Sequence, residues 1–179
     1  YPYSQHERKA RPVDDEQIGF DIEFDDKTQA FLDWVAPERM ESGVRAFLAV
    51  TVPDMADEAQ WWQPPLSRQV MESAKDLFGD WAGFVAPENR ELADGFIRFL
   101  GECYVRGAEI ITWTNRPGER KSAQLYADIA PTVRVIGDDI RVIPLVAEGL
   151  FRENYGPEML EYEISKTVRA ARRGRSYTV

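Results

Sequence analysis

The chain has few of the side chains on which common enzyme chemistries depend. Among its 179 residues there is one histidine, His6, and one cysteine, Cys103. A lone cysteine excludes an internal disulfide and any cysteine-built zinc site. His6 lies in a polar N-terminal stretch, without an apolar pattern that would orient an imidazole for nucleophilic catalysis or metal binding. We therefore predict that the protein is not an enzyme, with no catalytic residues, no metal site and no cofactor.

Several other binding signatures are also missing. The sequence contains neither a Walker phosphate loop nor a Gly-x-Gly-x-x-Gly motif, and it has no apolar run of about 20 residues that would cross a membrane. The net charge of −9 argues against general binding of nucleic acid, because such binding needs cations to displace counterions from phosphates. We expect a cytoplasmic protein that binds neither nucleic acid nor membranes and whose electrostatic partner is basic.

The most unusual segment that is present is acidic. Residues 14–26 carry seven carboxylates and no basic side chain, while Ile18, Phe20, Ile22 and Phe24 alternate with smaller or charged residues. This period of two predicts a strand over residues 18–24 with one buried face. The acidic face suits an edge strand protected from aggregation, or a surface that binds a basic partner. For the second case the predicted contact residues are Asp14, Asp15, Glu16, Asp21, Glu23, Asp25 and Asp26.

The rest of the pattern predicts a mixed fold. Residues 1–16 suit a flexible N-terminal arm, and residues 17–179 suit a single domain. Apolar residues at helical spacing predict helices over residues 27–35, 37 to about 52, 66–81, 88–106, 145–151 and 157–172, with 49–52 open to helix or strand. Strand-like segments are found at 110–114, 123–129, 132–136 and 140–143. Helices segregated from antiparallel strands predict an α+β fold, with helices packed on an antiparallel sheet.

Two adjacent tryptophans form the second candidate contact site. Trp61 and Trp62 precede Pro64 and Pro65, and in an extended segment both rings cannot face one core. One ring is therefore expected at the surface, where tryptophan is enriched at interface hot spots. The alternative is that both cover the edge of the core. Three other tryptophans lie on regular apolar patterns and are predicted to be core residues: Trp34, Trp81 and Trp113.

Three charged features have structural and functional interpretations. Glu102 lies beside the apolar stripe of its helix, where it could act as an acid or base, or pair with Arg98 or Arg106 four residues away. The tripeptide at 137–139 resembles a metal-bearing turn but equally suits a tight hairpin. The basic side chains between residues 166 and 175 could bind an anionic surface, or complement the C-terminal end of a helix dipole.

One stretch carries a family resemblance. Residues 93–102 lead into the Trp113 strand and are followed by the segments 131–135 and 143–146. This order of features is similar to small actinobacterial proteins and to immunity proteins encoded beside secreted toxins, such as the immunity factor of the tuberculosis necrotizing toxin. The resemblance implies a protein that occludes the active site of a toxin, in that case an enzyme that degrades NAD.

The sequence thus favours a non-catalytic immunity protein that binds a basic toxin domain. A carboxylate-dependent hydrolase using Glu102 and an acidic mimic of nucleic acid remain as alternatives.

Overall fold

A computed structural model of the chain describes residues 26–174. Most of these residues are helical, and Pro or Gly stands at several helix boundaries, as expected from their backbone preferences. The helices are α1 over residues 26–35, α2 Pro37–Thr51, α3 Leu66–Phe78, α4 Trp81–Val85, α5 Arg90–Val105, α6 Ile143–Glu148 and α7 Gly156–Arg172. Short 3₁₀ turns are found at Pro53–Met55, Pro87–Asn89, Ser122–Gln124 and Gly149–Phe151.

Three strands form one antiparallel sheet in the order β1-β2-β3. Their bounds are β1 Thr112–Asn115, β2 Pro131–Ile136 and β3 Asp139–Val142. Thr112 is opposite Arg134, and Arg134 is opposite Ile140, so β2 is the central strand. The turn between β2 and β3 begins at Gly137, whose φ of +54° is in the left-handed region that favours glycine.

Helix α5 is the centre of the molecule. Every residue from Phe96 to Tyr104 is buried, so this helix is covered on all sides. It contacts α2, α6, α7 and the sheet, and its side chains join a single hydrophobic core that runs through all of these elements. Because α5 has a neighbour on each side, its position determines where grooves are left between it and the elements packed around it.

The sheet packs closely on α5 because a glycine faces it. A Cβ atom placed on Gly101 would lie 1.8 Å from Cη2 of Trp113, so only glycine leaves room for the indole at this spacing. The same indole packs edge to face against Trp34, with ring centroids 5.1 Å apart. The Gly101–Trp113 contact therefore determines how near β1 approaches the central helix.

The predicted α+β class is confirmed, with an antiparallel sheet and packed helices. The helix at residues 37–52 is confirmed and includes 49–51, and the hairpin around 137–139 is confirmed as a turn. The predicted strand at 123–129 is wrong, because this segment forms a 3₁₀ turn and a loop. The predicted helix at 66–81 ends early at Gly79, where φ is +77°, and a separate short α4 follows. Among the described residues no helix is both long and apolar enough to cross a membrane.

The tryptophans expected in the core are found there in part. Trp34 is buried, whereas Trp81 and Trp113 are half-buried and pack against the core from its edge. The predicted arm at 1–16 and strand at 18–24 lie outside the described residues.

We expect Gly101→Ala to lower the free energy of unfolding by about 1–3 kcal/mol, because the new methyl group overlaps the Trp113 ring. This loss would occur although alanine is a better helix former than glycine by about 1 kcal/mol. Urea unfolding of Gly101→Ala, Trp113→Phe and the double variant measures the effect. A smaller ring should relieve the clash, so additive effects of the two changes would contradict this account of the spacing.

Candidate functional site

An acidic groove lies between α2 and α5. It has a volume of about 690 Å³, and its walls carry Glu38 on α2, Glu88 in the 3₁₀ turn before α5, and Glu91 in the first turn of α5. All three glutamates are exposed. Acidic residues are favoured at these positions because each lies near a helix N-terminus, where backbone N–H groups and the helix dipole stabilise negative charge.

These three carboxylates have no ion-pair partner among residues 26–174. The exposed Arg39 also lines the groove, and Asp94 and Arg98 below it neutralise each other as a salt bridge. The groove therefore carries three acidic groups against one basic group outside that pair. Such a rim attracts a cation-bearing segment and repels anions.

The floor of the groove is shaped by two glycines. A Cβ atom on Gly43 would lie 2.6 Å from Cδ of Arg98, and one on Gly95 would lie 2.8 Å from Cβ of Phe47. The two helices therefore approach each other closely at these positions. Val50 is 52% exposed at one end of the groove and adds an apolar surface to the acidic rim.

Beneath the groove, Asp94 is a hydrogen-bond acceptor for three different segments. Its Oδ1 accepts from Trp34 Nε1 and from the Tyr126 hydroxyl, each at 2.7 Å, and its Oδ2 accepts from Arg98 Nε at 2.8 Å. Burial, together with the Asp94 carboxylate, raises the pKa of Tyr126 well above its ordinary value. Tyr126 therefore remains a hydroxyl donor throughout the physiological range.

Arg98 is almost completely buried, and its remaining contacts explain why the charge is tolerated. Its Nη1 donates to the Trp34 carbonyl at 2.7 Å, and its guanidinium lies 4.3 Å from the Trp34 ring centroid. A buried cation is stable only when it is paired and its donors are satisfied. Arg98 is therefore a structural residue that supports the floor of the groove, rather than a free charge within it.

Glu102 is part of a separate network of charges. Its Oε2 accepts from Trp113 Nε1 at 3.3 Å, and its Oε1 lies 3.6 Å from Arg106 Nε. Arg106 also pairs with Glu41, which pairs with Arg45 at 2.9 Å. Burial raises the pKa of Glu102, against the hydrogen bond from Trp113 and the charge of Arg106.

Of the two arginines predicted as partners of Glu102, Arg106 is therefore the one found, while Arg98 binds Asp94 instead. Glu102 lines neither the acidic groove nor a second groove, which lies between α7 and the segment of residues 62–64. Its oxygens face a tryptophan and an arginine, an arrangement that ties α5 to the sheet.

Most of the predicted acidic contact residues lie outside the described part of the chain: Asp14, Asp15, Glu16, Asp21, Glu23 and Asp25. Asp26 is described, and it is an exposed helical residue of α1. At 1.5 Å per residue, Asp26 lies about 14 Å along the helix axis from residue 35. Trp34 near the end of α1 donates to Asp94 beneath the acidic groove, so the C-terminal end of this helix is bonded to the base of the groove.

The prediction for the tryptophan pair is corrected in one respect. Trp61 is fully buried; its ring packs 5.7 Å from Phe99, and the Arg106 guanidinium lies 4.9 Å from its centroid. Trp61 cannot contact a partner, because the core and Arg106 already cover it. Trp62 is the half-exposed member of the pair, and it lines the groove beside α7 and not the acidic one.

The groove glutamates were not found by sequence reasoning. Glu38 and Glu88 are 50 positions apart, and no local motif connects them. The available signal was their position at predicted helix starts, which by itself indicates only dipole stabilisation. Packing of α2 against α5 is what brings the two carboxylates to one surface.

We expect Asp94→Asn to lower the free energy of unfolding by about 3 kcal/mol, because it leaves the buried Arg98 guanidinium without its counter-charge. Chemical denaturation measures the change. Glu72→Gln, which breaks the exposed Arg68–Glu72 pair, is the matched control and should change stability by less than about 0.5 kcal/mol. Equal losses in the two variants would contradict the supporting role of Asp94.

The pH dependence of stability should have opposite signs at two glutamates. The raised pKa of Glu102 means that the folded state takes up a proton more readily than the unfolded state. Its contribution therefore increases as the pH falls toward the ordinary value of 4.5 and is lost as the pH rises through the folded pKa. Burial also acts to raise the pKa of Glu41, but hydrogen bonds from Arg45 and Arg106 outweigh it and lower that pKa overall. Its contribution is lost as the pH falls through the folded pKa.

Urea unfolding of the wild type, Glu102→Gln and Glu41→Gln between about pH 7 and pH 3 tests these signs, because the changes centre on and below the ordinary glutamate value of 4.5. Relative to Glu102→Gln the wild type should gain stability as the pH falls, and relative to Glu41→Gln it should lose stability. Parallel curves for the wild type and Glu102→Gln would show that burial of this carboxylate has no energetic consequence.

Comparison of the chain with protein-family models, with curated proteins and with solved structures finds no match. What the protein does must therefore be argued from its own charges and geometry.

Proposed function

We propose that the chain is a non-catalytic immunity protein that binds a basic toxin enzyme and occludes its active site. The observation that carries the proposal is the acidic groove, where three exposed carboxylates on two walls have no ion-pair partner among residues 26–174. Three carboxylates against the single charge of Arg39 leave the groove negative, and a basic segment bound there would offset that charge.

The location of the groove supports the same partner chemistry as the acidic segment. Residues 14–26 have the same sign of charge and come directly before the rest of α1 in the sequence, and α1 is bonded to the base of the groove through the Trp34–Asp94 hydrogen bond. A partner interface of standard size covers about 800 Å² on each protein, which is large enough to include both Asp26 and the groove. Together they would give fast, salt-sensitive association with a basic surface.

An NAD glycohydrolase fits as the toxin on chemical grounds. An enzyme that binds NAD has to neutralise a diphosphate, so its cleft presents cations. Carboxylates of an inhibitor can pair with the same cations and exclude the substrate. The resemblance of residues 93–102, 131–135 and 143–146 to toxin immunity proteins agrees with this assignment.

The contacts of Glu102 weigh against the alternative of a carboxylate-dependent hydrolase. Both of its oxygens face donors within the fold, and the residue is 8% exposed. A general acid must reach a substrate within hydrogen-bond distance, directly or through one water. Here Trp113 and Arg106 occupy that position.

The proposal is tested by affinity capture of proteins from the native host with the full chain, at low and at high salt. A basic protein should be captured at low salt and released at high salt. The variant Glu38→Gln/Glu88→Gln/Glu91→Gln should weaken capture by about tenfold or more, because it removes the charges that pair with the partner. Inhibition of the captured protein's catalytic activity should weaken in parallel.

The matched control is Asp57→Asn/Asp128→Asn/Glu153→Gln, which makes the same change in net charge at exposed positions outside the groove. It should reduce the association rate slightly and leave the dissociation rate unchanged. Equal weakening in the two triple variants would show that the partner responds to the net charge of the protein and not to the acidic groove. Capture of no protein at either salt concentration would refute the binding function.

A further inference from the structure

A second groove lies on the side of the molecule where α7 packs against α3 and the end of α5. Its volume is about 430 Å³, within the range of small-molecule sites. One wall is the segment of residues 62–64, and the other is α7. The floor is apolar, formed mainly by Met71, Cys103, Ile164 and Val168.

The face of α7 that lines this groove ends in two arginines. Glu161, Ser165, Val168 and Arg172 follow one another at intervals of three and four residues, so they form a single stripe along the helix. Arg169 adds a second guanidinium in the same last turn, and both arginines are exposed. Glu161 accepts a hydrogen bond from Ser165 at 2.7 Å, so its negative charge is partly engaged within the helix.

The guanidinium of Arg172 is held in place at the end of the groove. Its Nε donates to the Gly107 carbonyl at 2.6 Å, and Gly107 itself lines the groove. This bond uses one donor and leaves the two terminal nitrogens for an anion. A side chain fixed in this way loses less conformational entropy on binding than a free arginine does.

We propose that this groove binds a small amphiphile with one carboxylate head and a single unbranched apolar chain. Arg169 and Arg172 bind the carboxylate, and the chain lies along Tyr162 and the edge of Val168, beside Trp62. The sign of charge supports an anionic head, because two arginines face one glutamate here although the whole chain has a net charge of −9.

The size of the groove favours a small ligand over a protein. A protein interface requires about 800 Å² on each side, whereas the groove is a cleft bounded by one helix face and a segment of three residues. Its apolar floor and charged end match the usual design of small-molecule sites, with a few polar groups that fix the orientation of the ligand. Burial of Cys103, and the negative charge of the adjacent Glu102, raise the pKa of the thiol. The floor is therefore uncharged at neutral pH.

Isothermal titration calorimetry of the full chain with decanoate tests the proposal, at concentrations below those at which decanoate forms micelles. Decanoate should bind, and decyltrimethylammonium, which has the same chain and the opposite charge, should bind at least about tenfold more weakly. Arg169→Gln/Arg172→Gln should weaken the binding of decanoate by about tenfold or more. Arg173→Gln, at an exposed position that does not line the groove, is the control and should bind as the wild type does.

A second variant tests the apolar part of the site. Ser165 is half-buried on the groove wall, so Ser165→Phe should fill the cleft and abolish binding while the fold is retained, as checked by circular dichroism. Decanoate binding that survives Ser165→Phe would overturn the location, and equal binding of the cationic amphiphile would overturn the head-group assignment. Co-sedimentation with phosphatidylglycerol vesicles without binding of decanoate would mean that a membrane surface, and not a free amphiphile, is recognised. Because the acidic groove is untouched by these variants, their outcome is separable from that of the immunity function.

Discussion

The acceptor capacity of one carboxylate, Asp94, is the constraint on which the rest of the structure depends. Its two oxygens accept from Trp34, Arg98 and Tyr126, which lie on α1, on α5 and in the loop before β2. These donors are separated by up to 92 positions in the chain, from residue 34 to residue 126. Each would be costly to bury without an acceptor, so the three segments are fixed together at the base of the acidic groove.

The central helix α5 then separates two surfaces of opposite sign. Near its start, Glu88 and Glu91 face Glu38 across the acidic groove. Near its end, Gly107 accepts from Arg172 and the second groove carries two arginines. Helix dipoles favour this arrangement, since carboxylates lie at the starts of α2 and α5 and guanidiniums lie in the last turn of α7. Local electrostatics and the placement of candidate sites are therefore linked in this fold.

Much of the fold follows from the local pattern of apolar and polar residues. The strand wrongly predicted at residues 123–129 shows a case in which that pattern is not sufficient. Leu125 and Ile129 are buried, as a strand would require. The segment nevertheless pairs with neither outer strand of the described sheet, whose order is β1-β2-β3. The Glu119 carboxylate instead accepts from the Ser122 backbone at 2.7 Å, and Leu125 N–H bonds to the Ser122 carbonyl. Local capping thus prevailed over apolar alternation.

The sequence by itself determined most of the helices, the β2–β3 hairpin and the uneven distribution of charge, because each depends on residues a few positions apart. For Glu102 it offered a role as an acid or base, or pairing with one of two arginines on the same predicted helix. Only the tertiary structure decided which arginine it was, which of two adjacent tryptophans is buried, and which carboxylates share a groove. These outcomes depend on what covers each helix face. Periodicity shows that a face is apolar but cannot identify the distant segment that packs against it.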